Sequence, residues 1–158
     1  MDRLHASLAQ LASELVDGPR GEAFMLNPGD PGLLRSLEQL SAADASRRPP
    51  NGAAPIAAHV DHVCYGLDLL NRWSAGEQNP WSDADWTASW KRTSVTDEEW
   101  AALQSRLRDA TSRWQRALAA PREMSPIELN GVIGSLAHLA YHLGAIRQID
   151  RSLRGPSA

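Results

Sequence analysis

The stretch that most constrains how this chain can fold runs from Ser125 to Arg154. Ser125 can cap a helix, Pro126 suits its first position, and Glu128 completes a capping box. Gly155 and Pro156 are expected to end it. Placed at 100° per residue, Leu129, Val132, Leu136, Leu139, Leu143 and Ile146 form a broad apolar arc, so this helix is expected to be buried over most of its girth. His138 and His142 lie just off the arc, in a row with the small residues Gly131, Ser135 and Ala145. Two histidines four residues apart share a helix face, with Cβ atoms about 5–6 Å apart. That spacing lets two imidazoles reach one metal ion. The alternative is an ordinary partly buried pair, and a third ligand elsewhere would decide between the two.

The rest of the chain also reads as helix. Leu4, Leu8, Leu11 and Leu15 predict a first helix near 3–16, stopped by Gly18-Pro19. Gly21 to Pro31 is irregular, and its apolar knot Phe24-Met25-Leu26 is expected to plug the end of a core. Residues 31–45 predict one short helix, and Arg47 to Ala54 a loop with Pro49-Pro50 and Asn51-Gly52. A strong helix follows over 55–74, with Ile56, Val63, Leu67 and Leu70 on one side and Asp61, Asp68 and Arg72 opposite. His59 and His62 fall inside its apolar arc, and Gly66 leaves space one turn beyond His62. A buried imidazole needs a polar partner, either a metal or a carbonyl.

Ala75 to Val95 is longer than an antiparallel helix hairpin requires and carries Trp81, Trp86 and Trp90. Such a connection can run the length of a bundle. Its tryptophans either staple it to the core or wall a pocket. Thr96 and Glu99 form a capping box for a helix over 97–120. Trp100, Leu103, Leu107, Ala110, Trp114 and Ala117 make its seam, with Arg106, Arg108, Asp109, Arg113 and Arg116 as a solvated face. The fold class is therefore all-α: a four-helix bundle with long helices near 3–16, 55–74, 97–120 and 126–153, a long crossover between the second and third, and one domain over 1–158.

Composition removes several alternatives. There is no strand pattern, no Gly-rich phosphate loop and no Gly-x-Ser-x-Gly elbow. A net charge of −3 gives no electrostatic reason to expect nucleic acid. No apolar run approaches the roughly 18 residues a membrane span needs. The single cysteine, Cys64, excludes an internal disulfide. It fits a reducing compartment, and the N-terminus shows no signal-peptide pattern, so the expected location is the cytoplasm. His5 reads as exposed.

The inward histidines thus sit on the second and fourth long helices, where facing helices of a bundle can build a metal site. Three imidazoles plus water is an open zinc arrangement. The only catalytic group this assigns is the metal-bound water, or a substrate thiolate in its place. Zinc and nickel suit such a donor set first, and iron or copper also. Tyr65, Gly66 and Ser135, with at least one of Trp81, Trp86 and Trp90, Trp86 foremost, are the expected substrate-binding walls.

Two segments, Ile56-Ala-Ala-His59-Val-Asp-His62 and His138-Leu-Ala-Tyr-His142-Leu-Gly-Ala-Ile-Arg-Gln148-Ile, make the chain resemble the DinB-like superfamily. That superfamily includes YfiT-like metal-dependent hydrolases and bacterial thiol S-transferases. The likeness is clearest from Pro55 to Ile149. It implies a four-helix bundle with one histidine from the second helix and two from the fourth around a divalent metal. An apolar residue six positions before the ligand points from Ile56 to His62, with His59 as a neighbour, an alternative or a fourth ligand. The implied function is a thiol S-transferase or hydrolase acting on a small molecule, with a low-molecular-weight thiol as one substrate. The competing readings are a non-enzymatic metal or small-molecule binding protein linked to stress, and a purely structural histidine cluster. A homodimer is expected, without nucleic-acid or membrane partners.

Overall fold

The structure is a computed structural model, and it describes residues 2–153. Among these residues all regular structure is helical: α1 (Asp2–Asp17), α2 (Leu33–Glu38), α3 (Ala42–Ser46), α4 (Ile56–Ser74), α5 (Asp97–Ala119) and α6 (Pro126–Ile149), with single 3-10 turns at Ala88–Trp90 and Arg151–Leu153. Helices α1, α4, α5 and α6 are the long helices of the expected four-helix bundle, and the chain between α4 and α5 is its long crossover. Among the described residues no helix is long and apolar enough to cross a membrane. The stretch read as one helix over 31–45 is two, because Ser41 sits in extended backbone and caps α3 through a capping box with Asp44. At the other end α6 stops at Ile149, where Asp150 turns extended, and not near 153. Gly155 and Pro156 lie outside the described residues.

The chain divides into two compact units, Met1–Ser36 with Gln115–Ala158, and Leu37–Trp114. In the first, α1 packs on α6, and Leu8, Ala12, Leu15 and Val16 are buried, as are Val132, Leu136, Leu139, Leu143 and Ile146. Each fully buried large aliphatic side chain contributes about 1.5–3 kcal/mol. The end of α1 and the returning loop cross at two glycines. Gly18 takes φ +97°, and a Cβ at Gly32 would stand 2.2 Å from the Gly18 nitrogen, so no side chain fits there. Arg147 fixes the loop's far end, donating to Asp30 Oδ2 at 2.9 Å and to the Pro31 carbonyl at 2.7 Å.

Three expectations fail in this unit. The Phe24-Met25-Leu26 knot does not plug a core: Phe24 is 63% and Met25 41% exposed. It is the backbone that faces inward. The Glu14 carboxylate, buried in α1, accepts the N–H groups of Phe24 at 3.0 Å and of Met25 and Leu26 at 2.6 Å. His5 is buried, not exposed, and its Nε2 accepts the Arg122 backbone N–H at 3.3 Å. Helix α6 is not buried over most of its girth, since Ile127, Ile133 and Tyr141 are 73%, 52% and 67% exposed.

In the second unit α3 and the 88–90 turn pack on α4, which buries Ile56, Ala57, Ala58, Val60, Val63, Cys64, Leu67 and Leu69. Burial pushes the Cys64 thiol up to about 12. Helix α5 satisfies carbonyls at and beyond the end of α2: Trp100 Nε1 donates to Leu40 at 2.9 Å and Gln104 to Leu37 at 2.8 Å. Its seam is buried through Trp114, with Leu118 rather than Ala117 continuing it. The arginine face is exposed as expected, yet it is also paired. Arg106 bridges Asp61 at 3.1 Å and Asp68 at 2.7 Å on α4, and Arg113 reaches Asp68 at 3.2 Å. Exposed pairs of this kind contribute about 0.2–1 kcal/mol each.

Candidate metal centre

Helix α6 begins at a fixed residue. Ser125 N–H donates to Glu128 Oε2 at 2.7 Å, Glu128 N–H returns to Ser125 Oγ at 3.3 Å, and Pro126 opens the first turn. The Arg122 guanidinium, hydrogen-bonded to Glu128 Oε1 at 2.6 Å, and then this box hold the Glu128 carboxyl down at about 2. From that start, helical spacing stacks His138 over His142. Their Nε2 atoms are 3.0 Å apart and the rings meet edge to face at 4.4 Å and 81°. His142 is 1% exposed and His138 half-buried. Tyr141 lies edge-on to His142 at 5.1 Å. Burial pushes the His138 pKa down, so its ring is neutral at neutral pH and can offer a lone pair.

On α4, His59 and His62 are both 7% exposed. The crossover supplies what surrounds them. Trp90 stacks on His62 at 4.3 Å and 25°, and presents its edge to His59 at 5.1 Å and 84°. Trp86 lies tilted against His62 at 5.6 Å and edge-on to Tyr65 at 5.4 Å. Trp81 instead packs on Trp73 at 5.0 Å. The two sequence readings of these tryptophans therefore divide by residue: Trp81 staples the crossover, while Trp86 and Trp90 enclose histidine. Burial pushes the His59 pKa down as well.

Among the described residues, His62, His138 and His142 each offer a ring nitrogen, and these lie within 4.8 Å of one another. His59 is not in that group. Two nitrogens on a tetrahedral ion at roughly 2.0–2.1 Å stand about 3.3 Å apart, close to the His138–His142 separation. The donor set, three imidazoles at least half-buried, fits a divalent ion. The remaining residues expected at the site are placed as follows. Gly66 is buried in α4. The Tyr65 hydroxyl accepts the Asp85 N–H at 2.8 Å. The Ser135 hydroxyl, buried, donates to the Val132 carbonyl at 2.7 Å, so it is already occupied within its own helix. Sequence reasoning missed Ser89, whose Oγ is 2.7 Å from His62 Nδ1.

Helices that present a cluster of three imidazoles define a class of helical protein able to bind a divalent metal. More specifically, the chain belongs to the DinB superfamily, whose family model matches residues 32–146, more than half its length and including all three clustered histidines. Comparison with curated proteins and with solved structures finds no match.

Proposed function

We propose that His62, His138 and His142 hold one divalent ion, zinc or nickel before iron or copper, and that the protein is a metal-dependent enzyme, a thiol S-transferase or hydrolase acting on a small molecule. The observation that carries this reading is the proximity of three ring nitrogens within 4.8 Å. Membership of the superfamily supports it. When bound, the ion would supply Lewis acidity that favours the deprotonated form of a thiol or of water at neutral pH. The chain's own residues do the rest. Burial keeps His138 neutral and competent to ligate. Three protein donors leave coordination incomplete, as a site that admits substrate requires. Trp86, 40% exposed beside His62 and Tyr65, offers an apolar wall to an incoming molecule, with Gly66 and Ser135 keeping bulk away from the histidines. His59 backs Trp90.

Elemental analysis of protein purified without added metal tests the site. We expect close to one divalent ion per chain, and loss of it in a folded His138→Ala variant. Thiol consumption with a model electrophile then tests the reaction. Metal without turnover would leave a non-enzymatic binding protein, and no metal in the wild type would overturn the reading.

A further inference from the structure

Ser89 has one hydroxyl proton and two neighbours that compete for it. The Trp86 carbonyl lies 2.7 Å from its Oγ, and His62 Nδ1 lies 2.7 Å from the same atom. A carbonyl oxygen can only accept, so the Ser89 proton goes to Trp86. The Oγ lone pairs then face Nδ1, and a short contact there requires that Nδ1 carry the proton. A neutral imidazole protonated on Nδ1 has its lone pair on Nε2.

The hydroxyl is itself held in place. Tyr65 OH, on α4 one turn beyond His62, accepts the Asp85 N–H at 2.8 Å. The Asp85 carboxylate accepts the Ala88 N–H at 2.9 Å, at the start of the Ala88–Trp90 turn. That turn carries Ser89, 6% exposed, back to α4 beneath His62, while Trp90 stacks on the ring face and prevents it from rotating. Hydrogen bonds thus run from α4 through the crossover and return to α4.

We propose that Ser89 is a positioning residue that fixes His62 in the Nδ1–H tautomer and directs the Nε2 lone pair to the ligand position, making the crossover turn part of the site. The metal half of this statement rests on the proposed function; the tautomer half does not. Removing the hydrogen-bond partner on the far nitrogen of a ligating histidine typically costs roughly 10–100-fold in metal affinity.

The test uses the full chain labelled with 15N-histidine, stripped with chelator and held at pH 8. Two-bond 1H–15N correlations report which nitrogen of each ring is protonated, and a His62→Gln variant assigns the signals. We expect Nε2 as the lone-pair nitrogen of His62 in wild type and in Ser89→Thr, and a tautomer mixture in Ser89→Ala. A wild-type spectrum with the lone pair on Nδ1 overturns the proposal, as does a Ser89→Ala spectrum unchanged from wild type. Zinc titration against a competing chelator, with melting curves alongside, then reads the consequence. Ser89→Ala should weaken zinc by roughly 10–100-fold and Ser89→Thr should restore it. Equal affinity in Ser89→Ala and wild type overturns the positioning role. No zinc binding by wild type would overturn the proposed function, and the spectrum would still decide the tautomer.

Discussion

Glu14 brings a carboxylate into the interior of α1 and meets three consecutive backbone N–H groups there. Hydrogen bonds to a charged group are worth about 1.5–3 kcal/mol, and losing the acceptor leaves donors to be rehydrated. Glu14→Ala should therefore cost about 2–4 kcal/mol, and Glu14→Gln, which keeps one acceptor oxygen, less. Urea unfolding midpoints measure both, and an Ala variant as stable as wild type would remove the clamp from the account of this loop. Neither Glu14 nor Ser89 could be found in the sequence. Their partners lie 10 to 12 and 27 residues away, and for Glu14 they are backbone groups that leave no mark on residue type. The burial of His5 is hidden from sequence for the same reason, its partner being 117 residues distant. His138 and His142 were readable because helical geometry alone sets their relation. His59 and His62 are equally buried, so periodicity could not choose between them; only tertiary placement puts the His62 nitrogen in the cluster.

Helix starts were readable for the opposite reason, since a capping box closes within three residues. The boxes at Ser125–Glu128 and Thr96–Glu99 both form as expected. The break between α2 and α3 follows the same rule at Ser41, but the leucine spacing masked it. The Glu128 box has a consequence for acid behaviour. Its carboxyl titrates near 2 in the fold against 4.5 for the ordinary group, so the unfolded chain binds the proton first. The stabilisation is complete above about pH 4.5 and is lost as pH falls toward 2. Glu128→Gln should flatten that limb of the stability–pH curve, and salt should weaken the effect because solvent reaches the partly exposed group. Farther along α6, Ser135→Leu should keep metal while weakening ligand binding. Overpacking can itself cost about 1–3 kcal/mol, so melting is measured in parallel. Unchanged binding in a stable, metallated Ser135→Leu protein would place the pocket elsewhere.

For the molecule as a whole, four amphipathic runs and a connection too long for a hairpin are enough to define the class of fold. The apolar arc overstates how much of α6 is covered. Ile127, Ile133 and Tyr141 remain large, apolar and exposed on that helix. They support the proposal that the chain forms a homodimer, for which light scattering at micromolar concentration should give twice the chain mass; a monomeric mass would refute it.

Cys64 has a practical consequence for all of these experiments. It is the chain's one cysteine, it is 0% exposed, and burial holds its thiol near 12. Only the thiolate reacts readily with maleimides and iodoacetamides, so the folded protein should be silent to them until it is denatured. A cysteine introduced at Tyr141 would then be the single reactive handle on an otherwise unmodified chain. A spin label or dye placed there could report distances between copies, or motion of α6, with no background to subtract.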